Sequence, residues 1–323
     1  MNNLTILVVG SGNISQRHIK NLKKISPHTK IILVKRKKSK SELFIKPDLI
    51  VDNYKKYPYE KINAVILANP SSFREEIATY FIKKKKPIFF EKPITNKAKQ
   101  ASNIFKLIKS NPNNAIMVGY CFRFLKSLNF FKKILSTEQL GKIRSSQIYF
   151  SQYLPLWRKH IKYQDSVSAQ RKLGGGILLE MSHELDYIQW IFGNIKKSIG
   201  HVYRVNDLEM NVANHADLIL KTSKDILISI HLDMLSRYPK RNCTVLCEKG
   251  TVIWDYNKNL VKWKVDGCRE KKKKFSNNEI NEMYFDEMKE FLKMVKYKKA
   301  EFSCLKSSVE IIKIIEKLNT FRI

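Results

Sequence analysis

The stretch Leu4-Thr5-Ile6-Leu7-Val8-Val9-Gly10-Ser11-Gly12-Asn13-Ile14-Ser15 decides the fold. Its first half is a short, unbroken apolar run, the pattern of a strand buried on both faces. Its second half is a glycine turn that opens a helix. Gly10 permits the tight turn, and Gly12 lets the backbone approach a pyrophosphate at the helix N-terminus, beside Asn13 and Ile14. Ser15 stands where such a fingerprint has its third glycine and is small enough for close helix–strand packing. An ordinary strand-to-helix turn is the competing reading.

The pattern continues outward from this turn. Helix Ser15–Ile25, strand Ile31–Val34, short strand Leu49–Val51, strand Ala64–Ala68, helix Glu75–Lys84, strand Pro87–Phe90, helix Lys97–Lys109 and strand Ala115–Gly119 follow in order. Strands alternating with helices predict a doubly wound parallel sheet, a Rossmann domain over residues 1–121. Beyond it the rhythm changes. Helix Leu125–Leu135 and strand Ile143–Tyr153 lead to one helix running from Gly174-Gly175-Gly176 to Phe192. Six strands then follow between His201 and Val265 without helices among them, and helices Asn277–Val295 and Ser307–Leu318 end the chain. This predicts a second α/β domain, residues 122–323, with a mainly antiparallel sheet.

Composition narrows the class. With 43% hydrophobic residues over 323 positions the chain is globular, with room for two cores. It has no apolar run of about 18 residues, so no membrane partner is expected. The start reads as a strand rather than a leader, so a cytoplasmic location is expected. Five scattered cysteines without a CxxC pair argue for reduced thiols and against zinc. The formal charge of +32 invites a nucleic-acid reading. Its lysines are spread along the chain, however, and no nucleic-acid motif accompanies them. The runs Lys35–Lys38, Lys83–Lys86 and Lys271–Lys274 read as solvated loops or helix ends.

Three further constellations carry chemistry. At the end of the second strand, where an NAD-selective fold places an acid for the ribose 2′-hydroxyl, this chain has Lys35 and Arg36. Cations there suit a 2′-phosphate, so NADP(H) is expected over NAD(H). Phe90-Glu91-Lys92-Pro93 falls at the carboxyl end of the sheet, where open α/β folds bind ligands. There Lys92 is placed to hydrogen-bond a substrate hydroxyl and relay its proton, and Glu91 to fix the cofactor ribose or the lysine. On the helix after the triple glycine, Glu180, His183 and Tyr187 fall near one face, which puts a histidine beside a carboxylate for acid–base work. His183, Glu184 and Asp186 are also potential metal ligands, but without HExxH spacing no metal is expected.

These residues, in this order, resemble the glucose–fructose oxidoreductase and inositol dehydrogenase family, Gfo/Idh/MocA. The resemblance spans essentially the whole chain and rests on Gly10-Ser11-Gly12-Asn13-Ile14 with Gln16-Arg17-His18, Ala68-Asn69-Pro70-Ser71-Ser72, Glu91-Lys92-Pro93, Val118-Gly119-Tyr120 with Arg123-Phe124, Gly174-Gly175-Gly176, and His183 with Asp186. It implies a nicotinamide cofactor held also by Asn69 and Pro70, with Lys92 and His183 acting on a sugar-like substrate and His183 as general base. It implies association through the open sheet face, as a homodimer or homotetramer. The family's aspartate four residues before the histidine is replaced by Glu180, three before it. Cys121 and Arg74 stand where members often have Asn and His. The segment Tyr153-Leu154-Pro155-Leu156-Trp157-Arg158 looks like a subset found with bacterial surface-sugar pathways. Trp157 is placed to stack on a sugar ring, and Arg158 to bind a carboxylate or phosphate, with Arg123 and Tyr187 as further substrate contacts. A non-catalytic dinucleotide- or sugar-binding regulatory relative is the competing function.

Overall fold

The computed structural model describes residues 4–37, 39, 41–112, 114–157, 162–276, 278–297 and 302–320. Its chain divides into two compact units, residues 1–121 with 284–312, and residues 122–283 with 313–323.

The first unit holds strands β1 (Thr5–Val9), β2 (Lys30–Val34), β3 (Leu49–Val51), β4 (Ala64–Leu67), β5 (Ile88–Glu91) and β6 (Ile116–Gly119), with helices α1 (Asn13–Ile25), α2 (Arg74–Lys83) and α3 (Ala98–Lys109). The six strands form one parallel sheet in the order β3-β2-β1-β4-β5-β6. That order reverses beside β1, and ligands bind at the carboxyl ends of strands at such a switch point. The central strands are apolar because both faces are covered. Ile6, Leu7, Val8, Ile32, Leu33, Val65, Ile66, Phe89 and Phe90 are all inaccessible to solvent.

The second unit holds α4 (Lys126–Leu135), β7 (Ile143–Ser151), α5 (Ile177–Glu180), α6 (Ser182–Phe192), β8 (Ile195–Tyr203), β9 (His215–Thr222), β10 (Leu227–Asp233), β11 (Lys240–Cys247), β12 (Gly250–Asp255), β13 (Leu260–Val265) and β14 (Lys271–Lys274). Its eight strands run in the order β14-β13-β12-β11-β7-β10-β9-β8, and only the β7–β10 pair is parallel. Burial alternates along β9, with Ala216, Leu218 and Leu220 buried and Asp217, Ile219 and Lys221 exposed. One face of this sheet therefore builds the core and the other stays open.

Three expectations are corrected here. The helix after the triple glycine is not continuous. It breaks at Met181 (φ −93°, ψ 25°), so Glu180 ends α5 and His183 lies in the first turn of α6. Lys271–Lys274 is the edge strand β14 rather than a loop, and all four lysines are exposed. Lysines suit this place because an open sheet edge is otherwise a template for pairing with another chain. Finally, the last two helices, α7 (Glu279–Tyr297) and α8 (Phe302–Thr320), do not belong wholly to the second domain. Residues 284–312 join the first unit, where Phe291 of α7 packs edge-on against Phe89 of β5 at 5.5 Å.

Candidate active site

In the first unit the chain turns sharply at Gly10, whose φ is +106° and whose amide donates to Val34 O at 3.0 Å. A side chain at Gly10 would lie 2.9 Å from the backbone of Ala68 and Asn69. Gly12, the residue before α1, has open space where its Cβ would be. No side chain caps α1 and no acidic residue sits in its first turn, so the amides of Asn13 and Ile14 face outward with the positive end of the helix dipole. Ser15 is fully buried, as close helix–strand packing requires. These features fit an anionic pyrophosphate at this turn.

Gln16, which follows the glycine turn, organises the neighbouring loop. Its amide nitrogen donates to Ser11 O (3.2 Å) and Glu42 O (2.8 Å), and its carbonyl accepts from Phe44 N (2.7 Å). The Ser11 hydroxyl meets those of Ser39 (3.1 Å) and Ser41 (2.5 Å). The Lys35 ammonium, expected at a 2′-phosphate, instead donates to Ser41 O at 2.8 Å, because the loop folds back over the strand end. Arg36 is exposed, with its guanidinium 5.5 Å from the Phe73 ring centroid.

Arg74 ties the β4 and β5 ends together. It is buried, donates twice to Asn69 O (2.9 and 2.6 Å), and donates to the carbonyls of Glu91 and Pro93. Burial pulls its pKa down to about 10, partly opposed by the Glu91 charge. Asn69 and Pro70 are held beside this clip, and the Asn69 amide donates to Phe73 O at 3.2 Å. Glu91 is placed differently from expectation. The residue is 6% exposed, and its carboxylate accepts from His18 Nε2 at 2.5 Å and from the Lys92 amide at 3.1 Å. It therefore braces α1 and the Lys92 backbone, rather than reaching for a ribose. Burial pushes its pKa up, but the His18 hydrogen bond and the charges of His18, Arg74 and Lys92 outweigh this and hold it below the ordinary value. Glu287 of α7 lies beside this pair, fully buried, and burial together with the Glu91 charge raises its pKa well above the usual carboxylate range. Lys92 follows at the strand end, half-buried, before a cis bond to Pro93. Burial and the charges of Glu287 and Glu91 push the Cys121 thiol pKa well above the ordinary value.

In the second unit the triple glycine is a packing device. The amides of Gly175 and Gly176 donate to Gln170 O and Ser168 O, and a Cβ on Gly175 would lie 2.1 Å from Val167 O. This close approach sets the start of α5. Of the eleven residues of α6 only Trp190 is not buried. The helix is thus buried nearly all round, and its two carboxylates are paired. Arg123 makes a two-pronged bond to Asp186 (2.9 and 2.8 Å), and Arg241 Nε lies 2.9 Å from Glu184 Oε1. Both potential metal ligands beside His183 are therefore committed to arginines. Arg123, expected at the substrate, has its fork turned on Asp186.

His183 is 9% exposed and stacks on Phe122, with centroids 4.7 Å apart and planes 17° from parallel. Phe122 stacks in turn on Tyr256, and the Arg241 guanidinium lies over both rings at 4.9 and 5.3 Å. No sequence signal marked Arg241, because its partners come from three distant segments. Tyr187, expected at the substrate, is corrected. It is fully buried and packs edge-on against Trp254 at 5.7 Å, because it lies on the core side of α6. Trp157 is half-buried, donates to Gln152 O at 3.1 Å and packs edge-on against Phe150. Arg158 lies outside the described residues.

Residues 4–120 match the family model for the "oxidoreductase family, NAD-binding Rossmann fold", and residues 129–253 match that for the "GFO/IDH/MocA C-terminal domain". The chain belongs to the Gfo/Idh/MocA family. An uncharacterised oxidoreductase of Synechocystis sp. is 26% identical over 196 residues, a match that covers 59% of this chain and about half, 52%, of the relative. Inositol 2-dehydrogenase of Burkholderia cenocepacia is 20% identical over 256 residues, 76% of this chain and 72% of that protein. Levoglucosan dehydrogenase, solved in complex with NADH, superposes with a TM-score of 0.84 at 13% identity, covering 98% of this chain and 96% of the other. No helix among the described residues is long and apolar enough to cross a membrane.

The Arg123–Asp186 pair of this Gfo/Idh/MocA chain gives a stability prediction. Asp186 is 1% exposed, and burial raises its pKa although Arg123 pulls it down. Arg123→Met leaves that carboxylate without its partner and is expected to cost on the order of 3 kcal/mol in urea unfolding. The double variant with Asp186→Leu should recover most of the loss. Equal destabilisation in both variants would show that packing, not charge, governs the site.

Proposed function

We propose that this chain is an NADP(H)-preferring dehydrogenase that oxidises or reduces a hydroxyl-bearing carbon of a sugar, nucleotide-sugar or related polyol. The observation that carries this reading is the uncapped start of α1, with open space over Gly12. Gly10, Gly12, Asn13 and Ile14 hold the pyrophosphate, and Asn69 and Pro70 line the next strand end. A bound nicotinamide dinucleotide supplies the hydride acceptor or donor. In the oxidative direction His183 takes the substrate hydroxyl proton. Lys92 holds the same oxygen through its ammonium and assists the transfer by stabilising the charge that develops there, and Glu180 supports the histidine. The convergence of Lys92 and His183 on one substrate is part of the proposal. The relatives' names, inositol and levoglucosan dehydrogenases, support a polyol or sugar as substrate. Trp157 is assigned to a sugar ring and the surface-sugar pathway remains the proposed setting, in the cytoplasm. Ile199, Ile219 and Leu246, each exposed on the second sheet, support assembly as a homodimer or homotetramer.

The test is reduction of NADP+ or NAD+ across a panel of sugars and polyols. Dinucleotide binding without turnover on any of them supports the regulatory reading instead. Arg36 carries the cofactor preference, so kcat/KM should favour NADPH over NADH. Arg36→Ala should lower that ratio by about tenfold, the loss of one charge-assisted hydrogen bond. A wild-type protein that favours NADH would end this part of the proposal.

A further inference from the structure

The open face of the second sheet carries a group of side chains that the proposed reaction does not use. His215 and Asp217 lie two apart on β9, and His231 and Asp233 two apart on β10. The antiparallel register sets His231 opposite Asp217 and Asp233 opposite His215. Residues two apart share a face, so the four form a square with like residues on the diagonals. We propose that His215, Asp217 and His231 form a divalent transition-metal site of the zinc class, with Asp233 as the carboxylate behind His231.

The geometry brings three ligand atoms within reach of one ion. One nitrogen of each histidine and a carboxylate oxygen of Asp217 all lie within 4.8 Å of one another. His215 Nε2 is 2.9 Å from Asp217 Oδ2, and His231 Nδ1 is 2.7 Å from Asp217 Oδ1. Both imidazoles therefore converge on one carboxylate. The other nitrogen of His231 lies 3.1 Å from Asp233 Oδ2. Asp233 is itself fixed, accepting from the Ser151 hydroxyl (2.5 Å) and from the amides of Leu235 (2.7 Å) and Ser236 (2.8 Å). It is thereby held as an acceptor and directs the His231 proton to Nε2. A cation that takes the place of the proton on Nδ1 then meets the Nδ1 lone pair and the Asp217 carboxylate together. A carboxylate–histidine–metal relay has this form.

The rings are also preset. His231 stacks on Tyr149 at 4.4 Å and His215 on Tyr203 at 4.6 Å. Two imidazoles and one carboxylate suit zinc, cobalt or nickel and leave coordination positions for water, whereas calcium and magnesium take oxygen ligands. Such an ion clamps β9 to β10 on the open face. No spacing within a single element marks the site, because its ligands lie on two strands.

The experiment is isothermal titration of Zn2+ into untagged, chelator-treated protein whose accessible cysteines, exposed Cys268 and half-buried Cys247, have been alkylated. One equivalent should bind, and Co2+ should give a visible spectrum without a thiolate band. Asp217→Asn, at a half-exposed position, and His215→Ala should each weaken binding at least about tenfold without altering the metal-free unfolding midpoint. Asp233→Asn, which leaves all three ligands in place, should also weaken it about tenfold. No binding by the wild type, or equal binding by wild type and Asp217→Asn, overturns the proposal.

Discussion

Lys92→Met should bind the dinucleotide as the wild type does and lose turnover by about 10^2- to 10^4-fold, the contribution of a positioned acid–base group. Only the ammonium is removed. The methionine stem fills similar space, and the hydrogen bond from the residue 92 amide to Glu91 Oε2 is a backbone feature that survives. Arg74 continues to hold the Glu91 and Pro93 carbonyls, so the strand end keeps its shape. Fluorescence titration of the cofactor beside steady-state kcat separates the two effects. Near-normal kcat would remove Lys92 from the chemistry, and lost binding would make it a cofactor residue.

Gly10→Ala and Gly12→Ala should fail in different ways. At Gly10 the added methyl group meets the backbone of Ala68 and Asn69 at 2.9 Å, and the left-handed φ of +106° adds strain that no side chain relieves. Backbone cannot yield as a flexible side chain can, so strain and overpacking together should cost about 2–5 kcal/mol. The unfolding midpoint should fall, and dinucleotide binding with it. At Gly12 the methyl group meets nothing within 4 Å, so stability should be unchanged. The same methyl occupies the space assigned to pyrophosphate, so binding should weaken by at least about tenfold, or ~1.4 kcal/mol. A Gly12→Ala protein that binds cofactor normally would show that the ligand does not approach this turn.

The elements were legible where local chemistry is decisive. The apolar runs from Ile6 to Val118 are strands because a parallel sheet with both faces covered admits little else, and Gly10 marks a turn that side chains resist. The alternation along β9 likewise shows one open face. The site was less legible, because polar residues take their meaning from partners far along the chain. Glu91 looked like a cofactor ligand until His18, 73 residues away, occupied its carboxylate. Asp186 and Glu184 looked like potential metal ligands until Arg123 and Arg241 closed on them.

Periodicity and the glycine turn were enough to establish the two kinds of sheet, their order and the helix start that can receive a phosphate. These depend on neighbours within a few residues. Only the tertiary structure decided that Tyr187 belongs to the core, that the His183 helix breaks at Met181, that residues 284–312 return to the first unit, and that two histidines and two aspartates share one sheet face. The reason is physical. Burial and pairing depend on what packs against a side chain, and strand register can bring together residues that no local spacing connects.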